Sequence, residues 1–322
     1  MKAAVLHQFG SIPRYEDFPD PVAGADELLV HVKAVAFENV DKAMAEGRHY
    51  ATQKFFPSLP AVVGFDGIGL LEDGRLVGFG GMKPPYGAMS DMTVIPAPYT
   101  APIPDGVDAV TAAAMPASAL TSLFPLKWGA KLQAGETVLI NGATGVSGKL
   151  AVQIAKLLGA GRVVGTGRNE ASLDEVMRLG ADAVIDLKQP DDQLTKAFKS
   201  EAGEGYHVIL DFVWGHPTDL LIKTLIPEYL GFAGKRIRLI QVGEMAGSSI
   251  SLTADALRTS GLEIYGAAAG LTPEAMGEGT AQVWEFIKGH KLEMEIEQIP
   301  LKDIESVWQR NSFQGKRIVI VP

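Results

Sequence analysis

The sequence contains no cysteine among its 322 residues. That excludes disulfides, a thiolate nucleophile and any cysteine-ligated zinc. Histidine is scarce: His7, His31, His49, His207, His216 and His290 are scattered without metal-ligand spacing, so they read as surface or hydrogen-bonded side chains. No metal site is expected. No stretch reaches the about 18 uninterrupted apolar residues of a membrane span, so no transmembrane helix is expected. Residues 1–7 read as a strand, too short for the apolar core of a signal peptide. Positive charge is also sparse, with 29 Lys and Arg against 38 Asp and Glu, a net charge of -9 and no basic run. Nucleic acid and anionic membranes are therefore not expected partners. The expectation is a soluble cytoplasmic protein.

Hydrophobic residues make up 47% of the chain, enough for a sizeable core, and its length suggests about two domains. Residues 1–119 read as β-rich. Positions 28–36 suit a half-buried strand, and the glycines at 62–69 suggest bends or barrel corners. Pro96, Pro98, Pro102 and Pro104 mark a loop-rich crossing. A helix begins at 109–115 and Pro116 interrupts it. From residue 120 strands and helices alternate, with strands expected near 137–141, 162–167, 183–186, 207–212, 237–242 and 262–268. That series predicts a parallel, doubly wound sheet over 120–270. A helix near 273–289 leads to a β-rich end, so residues 271–322 are expected to complete the first domain.

The densest signal is Thr137-Val138-Leu139-Ile140-Asn141-Gly142-Ala143-Thr144-Gly145-Val146-Ser147-Gly148. An apolar strand enters three glycines, and a helical pattern with Leu150, Ala151, Ile154, Leu157 and Leu158 follows at once. Strand, glycine turn and helix in this order suit a dinucleotide pyrophosphate. Glycines admit the phosphates to the backbone, and the helix N-terminus holds their charge. An ordinary βα turn needing positive φ angles would use glycine too. What separates the two is the second strand at 162–167, which ends about 20 residues beyond the last glycine, where such folds read the ribose.

With further short motifs in order, the chain resembles the medium-chain dehydrogenase/reductase superfamily, in its zinc-independent quinone oxidoreductase-like branch. The resemblance runs nearly end to end. It includes Met1-Lys2-Ala3-Ala4-Val5, Asn39-Val40-Asp41 with Gly47 and Tyr50, Pro60 through Gly69, and Tyr86-Gly87-Ala88-Met89-Ser90. Ala113-Ala114-Met115-Pro116, Leu179-Gly180-Ala181-Asp182 and Gly315-Lys316 extend it. The resemblance implies an α/β protein: a GroES-like β-rich catalytic domain, a Rossmann cofactor domain and an active cleft between them. Zinc-dependent relatives carry a cysteine early in the catalytic domain and a histidine after the glycine matching Gly64. Here Phe65 follows Gly64, which points away from alcohol dehydrogenation and toward a conjugated acceptor. The branch often has a second glycine at Val146 and a valine at Ser147. The Ser147 hydroxyl either contacts the pyrophosphate or caps the helix.

The ribose pocket is expected at Gly167, Arg168 and Asn169. A carboxylate here would suit NAD, and a cation suits the 2′-phosphate of NADP(H). Arg168 supplies a fork fitted to phosphate. The other reading is a solvated arginine with Asn169 as helix cap and Glu170 in the first turn. A family lysine a few residues on is Ser172 here. The implied cofactor-binding set is Thr121, Gly142, Thr144, Gly145, Val146, Ser147, Gly148, Gly167, Arg168, Asn169, Trp214 and Gly243, with an interface role as the alternative for Trp214. The implied catalytic set is Asn39, Tyr50 and Tyr86, donors to a developing enolate or quinolate. A capping Asn and a lid Tyr are the bland alternatives, and Asp41 reads as a helix-start acid. The expected activity is NADPH-dependent hydride transfer to a quinone or α,β-unsaturated carbonyl. Reduction of a simple aldehyde or ketone, or a non-catalytic dinucleotide-binding protein, are the alternatives. An apolar strand at 262–268 is expected at a sheet edge, where family members pair as homodimers.

Overall fold

The computed structural model describes residues 1–227 and 235–322. The chain divides into two compact units, Met1–Pro116 with Glu295–Pro322, and Ala117–Met294.

Unit 1 holds strands β1 (Lys2–Leu6), β2 (Arg14–Asp17), β3 (Glu27–Phe37), β4 (Ala61–Val62), β5 (Asp66–Leu71), β6 (Leu76–Gly80), β7 (Met92–Pro96) and β8 (Thr100–Pro102). Helices α1 (Asn39–Ala45), α2 (Thr52–Phe55) and α3 (Ala109–Ala114) lie among and after them. Two C-terminal strands, Ile296–Pro300 and Arg317–Val321, are β15 and β16 in chain order, joined through α11 (Ile304–Trp308). One sheet runs β2-β1-β4. The larger runs β15-β16-β3-β5-β6-β8, with β7 also paired to β3. Alternation along β3 sends Val30 and Val32 into a core shared with Phe37, Met89, Ile95 and Ile318, while His31 and Lys33 face water. Asp108 caps α3 by accepting from the N–H groups of Val110 and Thr111.

Unit 2 holds β9 (Thr137–Asn141), β10 (Arg162–Gly167), β11 (Ala183–Asp186), β12 (Val208–Asp211), β13 (Ile237–Gln241) and β14 (Leu262–Gly266). Its helices are α4 (Pro116–Phe124), α5 (Val146–Leu157), α6 (Glu170–Arg178), α7 (Asp191–Ala202), α8 (Gly215–Leu225), α9 (Ala254–Thr259) and α10 (Pro273–Lys288). All strand pairs are parallel, in the order β11-β10-β9-β12-β13-β14. The central strands read as apolar runs because both faces are covered. The chain leaves β9 toward one edge and returns at β12 toward the other, which makes the carboxyl ends of these two strands a switch point.

One boundary differs from expectation. The second segment of unit 1 begins at Glu295, not residue 271. Helix α10 belongs to unit 2, where Gly279 lets its backbone approach the ring of Phe124 and Lys127 bonds Gln282. One helical run, Ala109–Gly129, is by length and hydropathy (1.4) apolar enough to cross a membrane. It holds no unbroken apolar stretch of that length, and half of it is buried within the fold.

Candidate functional site

In unit 2 the glycine turn sits at the switch point. Gly142, at φ +92°, turns the chain out of β9. Its N–H donates to the Thr166 hydroxyl at 2.9 Å, and the Ala143 N–H donates to the Thr166 carbonyl at 2.8 Å. The Thr166 hydroxyl donates to Asn141 Oδ1 at 2.7 Å, and Asn141 Nδ2 donates to Asp211 at 3.1 Å. Thr218 donates to Asp211 at 2.5 Å, as do the N–H groups of Val213 and Trp214 at 2.8 and 2.9 Å. Asn141, Thr166, Asp211 and Thr218 are all buried, so β9, β10, β12 and α8 are tied together by a satisfied polar network. Burial raises the Asp211 carboxyl above its usual range, and the four donors oppose that rise. The assignment of this network was missed from sequence, although a polar residue closing each apolar strand is its signal.

The turn has two kinds of glycine. A Cβ on Gly148 would stand 2.2 Å from the Gly142 carbonyl and 2.7 Å from Ala143 Cα, so the start of α5 packs directly on the turn. A Cβ on Gly167 would likewise strike Thr144 Cγ2 at 2.2 Å. Gly145, the N-cap of α5, is different: only the Gly142 carbonyl, at 3.7 Å, comes within reach of a Cβ there. Open space therefore lies beside the first turn, where the N–H groups of Val146, Ser147 and Gly148 have no intrahelical acceptor. That arrangement fits a pyrophosphate. Ser147 is inside the first turn rather than at the cap, and its carbonyl accepts from Ser122 at 3.0 Å.

At the end of β10, Arg168 is exposed and forms no ion pair among the described residues. Asn169 is the N-cap of α6, accepting from the Ser172 N–H at 3.0 Å, with Glu170 in the first turn. Gly243 follows β13, its N–H on the Asp211 carbonyl at 3.1 Å, where a Cβ would meet the Phe212 carbonyl at 2.8 Å. Thr121 is exposed, its hydroxyl turned back to the Ala117 carbonyl at 2.7 Å. Trp214 has φ 55° and ψ -165°, a backbone state that favours glycine, and its indole packs on the core of unit 2.

Unit 1 has an open pocket of about 230 Å³ lined by Ala36, Val40, Met44, Phe55 and Phe65, together with Glu38, Asp41, His49 and Asp66. Glu38 is the N-cap of α1 and pairs with Arg317 at 3.0 Å. Asp41 is buried, and accepts from the Glu38 N–H at 2.7 Å. Burial holds its carboxyl well above the usual range, against that hydrogen bond, and the charges of Glu38 and Asp66 add to the rise. Enclosure by the walls, then the negative Glu38, push the Asp66 carboxyl up to about 6 against the pull of Arg317. Asp66 nevertheless stays exposed at the mouth, where water screens part of that push.

The three expected catalytic side chains are not brought together here. Asn39 is the first residue of α1 and exposed, and the pocket receives its neighbour Glu38. Asp41 bonds the N–H of Glu38, which fixes where the helix starts. Tyr50 is 96% exposed and stacks on His49 at 4.2 Å, outside the lining. Tyr86 lies edge-on to Phe18 at 6.0 Å, with its hydroxyl on the Asp20 carbonyl at 3.4 Å. Among the described residues no group of three or more His, Cys, Asp or Glu side chains is placed to hold a metal.

Residues 147–285, within unit 2, match the zinc-binding dehydrogenase family model. The chain is 26% identical to the probable NADPH-dependent quinone reductase tdiC of Emericella nidulans, over the full length of both. It is 30% identical to the trans-enoyl reductase pgmF of Aspergillus terreus, over 61% of this chain and 57% of that protein. Among solved structures it resembles the quinone oxidoreductase of Thermus thermophilus, crystallised alone and with NADPH. That match has 25% identity, a TM-score of 0.77 and full coverage of both chains.

Proposed function

The chain belongs to the medium-chain dehydrogenase/reductase superfamily, in its quinone oxidoreductase-like branch, and on that footing we propose that it is an NADPH-dependent reductase of quinones or α,β-unsaturated carbonyls that works without zinc. The observation that carries the cofactor is the turn at 142–148, closed tightly at Gly148 and open at Gly145. The pyrophosphate would lie on the N–H groups of Val146, Ser147 and Gly148, and the 2′-phosphate on Arg168. Thr121 and Gly243 would border the nicotinamide. When bound, the dinucleotide supplies the hydride. The protein binds and orients: the apolar walls of the unit 1 pocket suit a flat, uncharged acceptor, and proximity supplies much of the rate. Quinone and enoyl acceptors are supported by the relatives' names. A zinc-free reaction is supported by the lack of cysteine and by Phe65 in the place of a ligand histidine. The same reading makes the enzyme soluble, cytoplasmic and a homodimer.

The test is oxidation of NADPH and NADH by the purified protein with quinones, enones and simple aldehydes, with and without strong chelator. NADPH-specific turnover of quinones or enones, unchanged by chelator, is expected. Turnover of simple aldehydes alone would replace the acceptor class. Stoichiometric zinc lost together with activity would overturn the mechanism, and binding without any turnover would make the protein a non-catalytic one.

A further inference from the structure

The unit 1 pocket holds three carboxyl groups, and they are not equivalent. Glu38 is engaged by Arg317 at 3.0 Å. Asp41 is buried beneath, and receives the Glu38 N–H at 2.7 Å. Asp66 begins β5 opposite Gly80, and its carboxyl has no hydrogen-bond or ion-pair partner among the described residues. It stands among Ala36, Val40, Met44, Phe55 and Phe65, and it also reaches solvent. Resting on the reductase reading above, we propose that Asp66 is the proton donor of the reaction: its carboxyl protonates the anion that hydride transfer leaves on the acceptor.

The chemistry balances as follows. An enone takes up a hydride from the reduced dinucleotide at its β-carbon, and the π electrons move onto the carbonyl oxygen as an enolate. The Asp66 O–H bond breaks and its proton goes to the enolate, giving the saturated carbonyl. The dinucleotide is left oxidised and Asp66 is left as a carboxylate, which regains a proton from bulk water at the pocket mouth. Protonation by a positioned acid lowers the barrier because charge is neutralised as it develops. The pair Glu38 and Asp66 suits this division. Glu38 is fixed by a cation, while Asp66 nearby, in an apolar setting, has its carboxyl raised to about 6 and so holds its proton to higher pH than a free carboxyl. The charged and titratable groups facing Asp66 are Glu38, Asp41 and His49 from around α1, and Arg317 from β16. Burial, then the charge of Glu38, raises the Asp66 carboxyl to about 6 against the pull of Arg317. His49 is the rival donor. Its Nδ1 accepts from the Ala51 N–H at 3.3 Å, which leaves Nε2 to carry the proton.

The experiment compares wild type, Asp66→Asn, Asp66→Glu and His49→Gln in enone reduction across about pH 5 to 9, with a carboxyl-carbon NMR titration of the unliganded protein. Wild-type kcat is expected to fall as pH rises through about 6. Asp66→Asn should lose on the order of a hundredfold in kcat with little change in KM, and its remaining rate should be flat with pH. Asp66→Glu should restore much of the rate and the pH limb, and His49→Gln should keep the limb. One aspartate resonance, absent in Asp66→Asn, should titrate near 6 rather than near 4. Full kcat in Asp66→Asn, loss of the limb in His49→Gln instead, or an Asp66 resonance titrating near 4 would each overturn the proposal and leave the reductase reading standing. A wild type that reduces no quinone or enone would sink the reductase reading itself.

Discussion

At Arg168 the question is which dinucleotide the end of β10 receives. An exposed guanidinium with no ion-pair partner among the described residues gives up nothing to meet a phosphate. Arg168→Ala should weaken NADPH binding by roughly ten- to a hundredfold, the worth of one charge-assisted contact, and leave NADH nearly unchanged. Titration of both cofactors against both proteins checks this, and equal losses would reject NADPH selectivity. Asp66 offers a second test, through stability. Its carboxyl is raised in the fold, so the protonated form is the better tolerated one. The stability it contributes is fully present below the unfolded value of about 4 and is lost as pH rises through about 6. Asp66→Asn should therefore melt at the wild-type temperature near pH 4 and higher than wild type at pH above about 6. The difference should grow with pH between about 4 and 6 and level off above it. Melting curves across that range decide it, and a difference independent of pH would show that Asp66 is not the titrating group.

Between residue and domain lies the turn from β9 into α5, where two glycines of one motif should behave differently. Gly148→Ala drives a methyl into the backbone of Gly142 and Ala143, so the turn must move. It should cost about 1–3 kcal/mol of stability and weaken the cofactor as well. Gly145→Ala meets nothing closer than 3.7 Å and should fold like the wild type, yet its methyl occupies the space assigned to phosphate. Its signature should be an unchanged melting temperature with NADPH affinity down at least tenfold. If the two variants behaved alike, the turn would not be a phosphate cradle. This element was legible in sequence because its signal is local: an apolar run, spaced glycines and a helical period within a dozen residues. The alternating series that follows placed all six parallel strands for the same reason. The unit 1 pocket was far less legible. Its Glu38 is oriented by Arg317, almost the whole chain away, and its Asp66 lies on a strand whose pattern speaks only of bends. Nor does the sequence alone say that Glu38, rather than Asn39, lines this pocket, because the capping contact between Asp41 and the Glu38 N–H decides which side chain turns toward it.

For the whole molecule the open issue is how the edge of the unit 2 sheet is covered. Strand β14 lies at that edge, paired on one side with β13 through Leu262, Ile264 and Tyr265. Its single charge, Glu263, is bound by Arg236 at 2.5 Å through both oxygens and also receives the Tyr265 hydroxyl. The neutralised carboxylate does little to repel a second strand, so the edge is a pairing hazard of the kind that proteins usually blunt with free charge. A second copy of the chain meeting it about a two-fold axis would continue the sheet and remove the hazard. Light scattering at low micromolar concentration should accordingly give about twice the chain mass of 34.3 kDa. Ile264→Pro should shift the particle to the single-chain mass, because proline deletes a strand N–H and a ladder bond. Arg236→Ala leaves the backbone ladder intact but frees the Glu263 charge at the edge. It should weaken the dimer without disturbing the monomer fold. A wild type at 34.3 kDa would refute pairing along β14, and a dimer indifferent to both substitutions would put the contact on another face.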